Sequence, residues 1–309
     1  MQYKNILVAG SVAFDYLFRY EGELKEHFEG HDLSNLSTCF FSPNREKFYG
    51  GTGGNIAYGL SLFGEKSHLI GTVGDDFEGD YKDWLTGRGA SLDFVRTVEG
   101  GDTACAYIIS DDKENQVAIF YPGASLRDYD FGLDLKKHKD SLLIISPMNL
   151  ESMVRLAREA REAGVDYIFD PGQQITLFDP EFMKEIVEGA FATILNDYEL
   201  KLLSNVLDPK RLRRVIVTLG GEGSEIIDEA NVIEVGAVKP DRIADPTGCG
   251  DAYRAGLIHG LKAGFDLKKS CQIGALNATY KIETEGTQNY GFSIEEFKAR
   301  YKDSFKEEL

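Results

Sequence analysis

Short apolar runs alternate with helical segments along this 309-residue chain, and this alternation constrains its fold more than any other feature. The runs that read as buried strands are bounded by turn residues and lie at 6–9, 141–146, 167–169, 192–195 and 215–219. The segments with helical periodicity lie at 55–63, 77–85, 153–163, 180–187, 251–262, 267–282 and 293–302. Such alternation predicts an α/β fold, with a mostly parallel sheet and helices on both faces.

Two regions depart from the alternation. Residues 14–49 show little periodicity and are rich in aromatic and charged side chains, so we expect a long loop there. Residues 103–122 predict a hairpin, with strands at 104–110 and 116–121 joined by a turn-prone segment. We interpret both as insertions that form a small β lid over a ligand cleft. The alternative is a pair of edge insertions with no part in a site. The absence of linkers and repeats predicts one domain over 1–309.

Composition excludes several classes of partner. The chain has 34 basic and 51 acidic residues, a net charge of −17, which disfavours binding to nucleic acid or to an anionic membrane surface. No apolar run approaches the roughly 20 residues that span a membrane. The four cysteines form no Cys-x-x-Cys pair, which indicates reduced thiols. We therefore expect a cytoplasmic protein that acts on small molecules.

The segment Asp-Pro-Thr-Gly-Cys-Gly-Asp at 245–251 directly precedes or begins a helix. Backbone amides and the helix dipole at such a position favour an anion, above all a phosphoryl group that gains charge during transfer. Asp251 could then accept the proton of an attacking hydroxyl, although it could also only stabilise the helix dipole. The chain carries neither a Walker motif nor the protein-kinase signatures, so this segment would have to supply the anion hole.

A second glycine cluster lies at 50–59 and ends in a predicted helix. It follows a loop rather than a strand, which argues against a dinucleotide fingerprint. We interpret Gly51 as part of a hinge below the lid and Asn55 as an amide that binds a sugar hydroxyl. An ordinary N-cap remains the alternative for Asn55. Asp15 follows the first strand, where ligands gather in open α/β sheets, and its carboxylate suits vicinal sugar hydroxyls.

Two further segments suit a nucleotide. Asn196 and Glu199 follow the strand that ends at 195, where they could act through magnesium and its waters. Thr218, Gly220 and Gly223 follow the next strand, and their glycines permit close approach of backbone to adenine and ribose. The alternatives are a helix cap for the first segment and a hairpin turn for the second.

Taken in chain order, these motifs resemble the ribokinase-like (PfkB-type) carbohydrate kinase family over nearly the whole length. The matching segments are Asp15, Gly-Gly…Gly-Asn at 50–55, Asn-x-x-Glu at 196–199, Thr-x-Gly-x-x-Gly at 218–223 and Asp-x-x-Gly-x-Gly-Asp at 245–251. Within the family, residues 54–58, 169–173 and 245–251 most resemble the adenosine kinase-like nucleoside kinases. The resemblance implies a Rossmann-like core with a β lid, ATP as phosphoryl donor and Mg²⁺ as cofactor.

The resemblance also implies roles at the acceptor site. Asp251 would be the catalytic base, and the amides of Gly248, Cys249 and Gly250 would form the anion hole. Family members usually have alanine in place of Cys249. Because a thiol at a helix start often has a lowered pKa, we expect Cys249 to be reactive.

Ligand-binding roles follow from the same resemblance. The ribose would be held by Asp15, Gly51 and Asn55. The nucleotide would be lined by Asn196, Glu199, Thr218, Gly220 and Gly223, with Glu199 reaching Mg²⁺ through water. Asp245 and Thr247 resemble the side-chain positions of a monovalent-cation site, and whether K⁺ binds is left open.

The function implied is an ATP-dependent nucleoside kinase that phosphorylates the 5′-hydroxyl of a ribonucleoside of the adenosine, inosine or guanosine class. Phe120 is one of several lid aromatics that could stack on the base, although packing of the lid onto the core or into a dimer is the alternative. A ribokinase-like sugar kinase is the second hypothesis, and a sensing protein that binds without turnover is the third. The sequence leaves a monomer and a homodimer both open.

Overall fold

The computed structural model describes residues 3–27, 38–113, 115–229 and 231–309. Two sheets organise these residues. The strands are β1 (Asn5–Ala9), β2 (Ala13–Arg19), β3 (Arg45–Gly50), β4 (Ser67–Val73), β5 (Ser91–Thr97), β6 (Ala104–Ser110), β7 (Gln116–Tyr121), β8 (Ser141–Ile145), β9 (Asp166–Phe169), β10 (Ala192–Asn196), β11 (Val215–Thr218), β12 (Ser224–Asp228) and β13 (Asn231–Val235).

The helices of the described residues mostly follow core strands. They are α1 (Thr52–Leu62), α2 (Asp80–Thr86), α3 (Leu150–Ala163), α4 (Pro180–Gly189), α5 (Asp197–Ser204), α6 (Cys249–Lys262), α7 (Leu267–Ile282) and α8 (Ile294–Phe305). None of the helices in the described part of the chain is both long enough and apolar enough to cross a membrane.

The larger sheet has nine strands in the order β13, β12, β11, β10, β9, β8, β1, β4, β5. Neighbours from β11 through β5 pair in parallel, whereas β12 and β13 extend the edge in antiparallel fashion. The predicted α/β fold with a mostly parallel sheet is confirmed. The sequence analysis missed β4, β5, β12 and β13 in this sheet, and it missed α5 beside it.

Apolar cores lie on both faces of this sheet. In β1, Ile6 and Val8 join the core on one face, where residues of α1 and α6 also pack, while Leu7 joins the core on the other. That second core includes apolar residues of α3 and α4. Because side chains alternate across a strand, a strand buried on both faces is apolar throughout. The continuous apolar run of β1 therefore reflects the helices on both sides.

The smaller sheet has four strands in the order β3, β2, β6, β7. The predicted hairpin is confirmed, because β6 and β7 pair antiparallel with the predicted bounds. The expected loop over residues 14–49 is wrong at both ends: β2 pairs antiparallel with β3 and parallel with β6. Residues 28–37 of that segment lie outside the described residues. Gly50 ends β3, so the glycine cluster follows a strand of the smaller sheet rather than a loop.

Candidate active site

The segment at 245–251 forms the start of α6. The helix begins two residues earlier than the sequence indicates, so that Cys249, Gly250 and Asp251 all lie in its first turn and Gly248 is the N-cap. Gly248 has φ of 80°, and a Cβ there would lie 3.0 Å from the Thr287 side chain. This position therefore requires glycine. The amides of a first helical turn have no partner within the helix, although the Cys249 amide donates to the Pro246 carbonyl at 3.2 Å.

A chain of hydrogen bonds orients the Asp251 carboxylate. Asn55 donates from Nδ2 to Asp251 Oδ2 at 2.8 Å, and its own Oδ1 accepts from Gln288 Nε2 at 3.0 Å. Trp84 donates to Gln288 Oε1 at 3.0 Å, and Gln288 also donates to the Tyr81 hydroxyl at 2.8 Å. Asn55 is thus no simple N-cap, because the N-cap of α1 is Gly51. Sequence reasoning missed Gln288, which lies more than 200 residues from Asn55.

A buried ion pair lies one turn further along α6. The guanidinium of Arg254 donates to Asp170 Oδ1 at 2.6 Å, and another of its nitrogens lies 2.5 Å from Asp170 Oδ2. Burial raises the pKa of Asp251 to about 6, and the negative charge of Asp170 acts in the same direction. Arg254 and the hydrogen bond from Asn55 oppose this rise. At neutral pH the Asp251 side chain is therefore a carboxylate that accepts protons readily.

Asp15 reaches the same cleft from the smaller sheet. Burial, followed by the charges of Asp251 and Asp245, raises the pKa of Asp15 to about 7. The backbone of Gly50 packs directly against its carboxylate, and a Cβ on Gly50 would lie 2.3 Å from Asp15 Oδ2. The structure thus brings together acidic side chains that the chain separates by more than 200 residues. A cluster of this kind costs stability and is typical of functional sites.

The cleft between the smaller sheet and the start of α6 has a volume of about 290 Å³. Its lid wall includes Asp15, Leu17, Phe48 and Ile108, and its floor includes residues 244–247 and 285–287. Cross-strand register explains the wall, because Phe48, Asp15, Ala106 and Phe120 form one row across the four strands. Phe120 therefore lies on the cleft-facing side of the smaller sheet. It is 52% exposed and does not line the cleft itself.

The Asn196–Glu199 motif caps α5. The Asn196 side chain accepts from the Glu199 amide, and Glu199 Oε2 accepts from the Asn196 amide, both at 2.8 Å. The helix-cap alternative therefore describes the local contacts of both residues. Glu199 is nevertheless buried, and burial together with the charge of Asp170 raises its pKa. Arg254 lowers and Asp170 raises the pKa of both Glu199 and Asp251, so the charges of this ion pair act on both carboxyl groups.

Thr218 is the register partner of Asn196 in the adjacent strands β11 and β10. Gly220 and Gly223 lie in the turn between β11 and β12, where the Leu219 amide donates to the Gly223 carbonyl at 2.8 Å. The structure therefore places the predicted nucleotide-side residues near the carboxyl ends of β10 and β11. Among the described residues, no three acidic, histidine or cysteine side chains form a group able to hold a metal ion.

The expected lowering of the Cys249 pKa is contradicted. Its thiol is half-buried, and burial raises its pKa to about 11. The positive charge of Lys281 lowers that pKa, whereas Asp245 and Asp251 raise it. Desolvation at this helix start therefore outweighs the effect of the nearby cation.

Comparisons with known proteins show the family of this chain. Residues 41–293 match the model of the pfkB family carbohydrate kinases. The chain is 30% identical over 292 residues to the nucleoside kinase of Methanocaldococcus jannaschii, and the alignment covers 92% of each protein.

Solved structures extend the likeness to the whole fold. The nucleoside kinase of Burkholderia thailandensis in complex with inosine has a TM-score of 0.86 and 34% identity, with 98% of this chain and 99% of that chain covered. The same enzyme in complex with ADP-inosine gives a TM-score of 0.83 at 32% identity, with 98% and 97% covered. The family match spans residues 41–293, which is most of the chain. This protein belongs to the pfkB family of carbohydrate kinases.

Proposed function

We propose that this protein is an ATP-dependent nucleoside kinase that transfers the γ-phosphoryl group of ATP to the 5′-hydroxyl of a ribonucleoside. The observation that carries the proposal is the Asp251 carboxylate, which Asn55 holds at 2.8 Å beside the first-turn amides of α6. The relatives from Methanocaldococcus jannaschii and Burkholderia thailandensis are nucleoside kinases, and the second binds inosine, which supports a nucleoside as acceptor.

In this proposal the ribose lies between the smaller sheet and α1. Asp15 accepts hydrogen bonds from the ribose hydroxyls, and Asn55 together with the backbone at Gly51 holds the other edge of the sugar. The base lies against the apolar part of the lid wall, where Leu17, Phe48 and Ile108 line the cleft. Phe120 covers the rim from the same face of the sheet. The 5′-hydroxyl then points toward the start of α6.

Phosphoryl transfer follows from this placement. Asp251 accepts the proton of the 5′-hydroxyl as the bond from oxygen to phosphorus forms, and ADP leaves with the bond electrons. The amides of Gly248, Cys249 and Gly250 stabilise the charge that develops on the transferred group. Since such transition states are loose, positioning and the anion hole supply most of the acceleration. Closure of the smaller sheet over the cleft excludes water as a competing acceptor.

ATP and Mg²⁺ occupy the nucleotide side in this proposal. Asn196, Glu199, Thr218, Gly220 and Gly223 lie at one edge of the sheet and line the donor. Because one Glu199 oxygen is used in the helix cap, the residue suits a contact to Mg²⁺ through water rather than direct coordination. When bound, Mg²⁺ neutralises charge on the β- and γ-phosphates.

Of the two residues that resemble a monovalent-cation site, Asp245 has oxygens that other groups already use. The two carboxylate oxygens of Asp245 accept from the backbone amides of Thr247 at 2.8 Å and Gly286 at 3.0 Å. The main-chain oxygen of Asp245 accepts from the Lys281 ammonium at 2.8 Å. No step in the proposed reaction therefore depends on K⁺.

A panel of acceptors tests the function. We expect ADP release from ATP and Mg²⁺ with adenosine, inosine or guanosine, and little with ribose. Turnover of ribose alone would favour the sugar-kinase alternative.

The variant Asp251→Ala tests the proton acceptor. It should lose at least about two orders of magnitude in kcat with little change in the nucleoside KM, because it removes only the proton acceptor. A near-normal rate in the variant would exclude Asp251 as the base.

The pH profile tests the ionisation of Asp251. Since the carboxylate is the active form and its pKa is about 6, kcat at saturating nucleoside should fall as the pH drops below about 6. In contrast, kcat/KM should begin to fall near pH 7, because Asp15, with a pKa of about 7, also takes up a proton in the free enzyme. The hydrogen bond from Asn55 lowers this pKa, so Asn55→Ala should move the acid limb to higher pH. Asn289→Ala, which removes a more exposed amide near the cleft, should leave the limb in place. An acid limb that stays fixed or moves to lower pH in Asn55→Ala would contradict the assignment.

The contact between Gly50 and Asp15 predicts a selective binding defect. In Gly50→Ala the new Cβ would displace the Asp15 carboxylate from the sugar. Loss of charge-assisted hydrogen bonds worth about 1.5–3 kcal/mol should raise the nucleoside KM by roughly 10- to 100-fold and leave the ATP KM nearly unchanged. Gly236→Ala, at a position with no atom near the new Cβ, is the matched control and should behave as wild type. Equal effects on both KM values would indicate general misfolding instead.

A further inference from the structure

Lys281 is a fully buried lysine beside the anion-hole loop. Its side chain is 0% exposed, and its ammonium donates to the main-chain oxygens of Asp245 at 2.8 Å and Thr284 at 3.0 Å. Asp245 Oδ2 lies 3.6 Å from the same nitrogen. Lysine is almost never fully buried without partners, because removing an ammonium from water is costly. The burial of Lys281 together with its hydrogen bonds therefore indicates a specific role for its ammonium.

The partners of Lys281 are the kind of ligands that a monovalent cation uses. Two carbonyl oxygens and a carboxylate surround one point, and they belong to separate segments, the loop before α6 and the end of α7. The Ile282 carbonyl adds to this junction by accepting from the amides of Ala244 at 2.8 Å and Asp245 at 3.2 Å. The cation among these oxygens is the ammonium of Lys281, which is part of the chain itself.

We propose that the Lys281 ammonium is a built-in cation that positions the anion-hole loop, so that this kinase works without a bound K⁺ ion. The inference rests on the proposed function, because it concerns the loop that holds the transferred phosphoryl group. Lys281 is a positioning residue, since it touches the loop and not the reacting atoms.

Electrostatics explains why a cation is needed there. Asp245 lies only three residues before Gly248, and its negative charge would oppose an incoming phosphate. The ammonium of Lys281 compensates that charge from behind the loop, and its field also reaches Cys249, whose pKa it lowers. A chain with a net charge of −17 gives no general attraction to phosphate, so local compensation matters more.

The decisive experiment compares cations at constant ionic strength. Wild-type turnover of nucleoside and ATP should change by less than about twofold when choline is replaced by K⁺, and the Tm should stay the same. Strong activation of the wild type by K⁺ would overturn the inference without any variant. A wild type that is inactive in every cation would instead overturn the proposed function, so the two failures are distinguishable.

Two substitutions separate charge from packing. Lys281→Ala leaves room for an ion among the oxygens, so we expect kcat to fall at least about tenfold in choline and to recover in a saturable way with K⁺ or NH₄⁺, with a parallel rise in Tm. Lys281→Met fills the space without charge and should not recover. Lys262→Ala, which removes a lysine paired with Glu65 far along α6, should show no response to cations.

The variants also test a purely structural role. If Lys281→Ala folds but responds to no cation in either kcat or Tm, the ammonium serves packing only and the inference is wrong. If that variant does not fold in any salt, the wild-type comparison in choline and K⁺ decides, because cation independence of the wild type supports the inference and strong K⁺ dependence contradicts it.

Discussion

The hydrogen bond from Asn55 to Asp251 is the contact on which the candidate site depends. It joins the start of α1 to the start of α6 at 2.8 Å, and so it fixes the carboxylate beside the amides of the first helical turn. Gln288 holds Asn55 in turn, which places the amide in one orientation. An acid with a pKa of about 6 in this position is both ionised at neutral pH and basic enough to accept a proton.

The smaller sheet is connected to the same contact through the backbone. Asp15 lies in β2, β3 ends at Gly50 beside the Asp15 carboxylate, and α1 begins two residues later. The smaller sheet and the start of α1, where Asn55 lies, are therefore directly connected through the chain. In the proposed reaction, closing of the cleft over the nucleoside would coincide with the alignment of Asp251, which would favour transfer to the bound hydroxyl over transfer to water.

The sequence predicted those parts of the site whose chemistry is local. Glycines next to Asp251 indicated an anion site because the signal lies within seven residues. The partners Gln288, Arg254 and Lys281 could not be predicted, since each has its role only through residues far away in the chain. Strand β2 had a usable signal: Phe14, Tyr16 and Phe18 alternate with Asp15, Leu17 and Arg19, which is the period of a strand with two different faces. The pKa of Cys249 depends on burial, which the sequence does not give.

The most direct test of the central claim is a crystal structure with a nucleoside and a non-hydrolysable ATP analogue bound together. The account predicts the 5′-oxygen within hydrogen-bond distance of the Asp251 carboxylate, about 2.6–3.2 Å, and the terminal phosphate facing the amides of residues 248–250. A 5′-oxygen that lies beside a different side chain, or a terminal phosphate directed away from the start of α6, would contradict it.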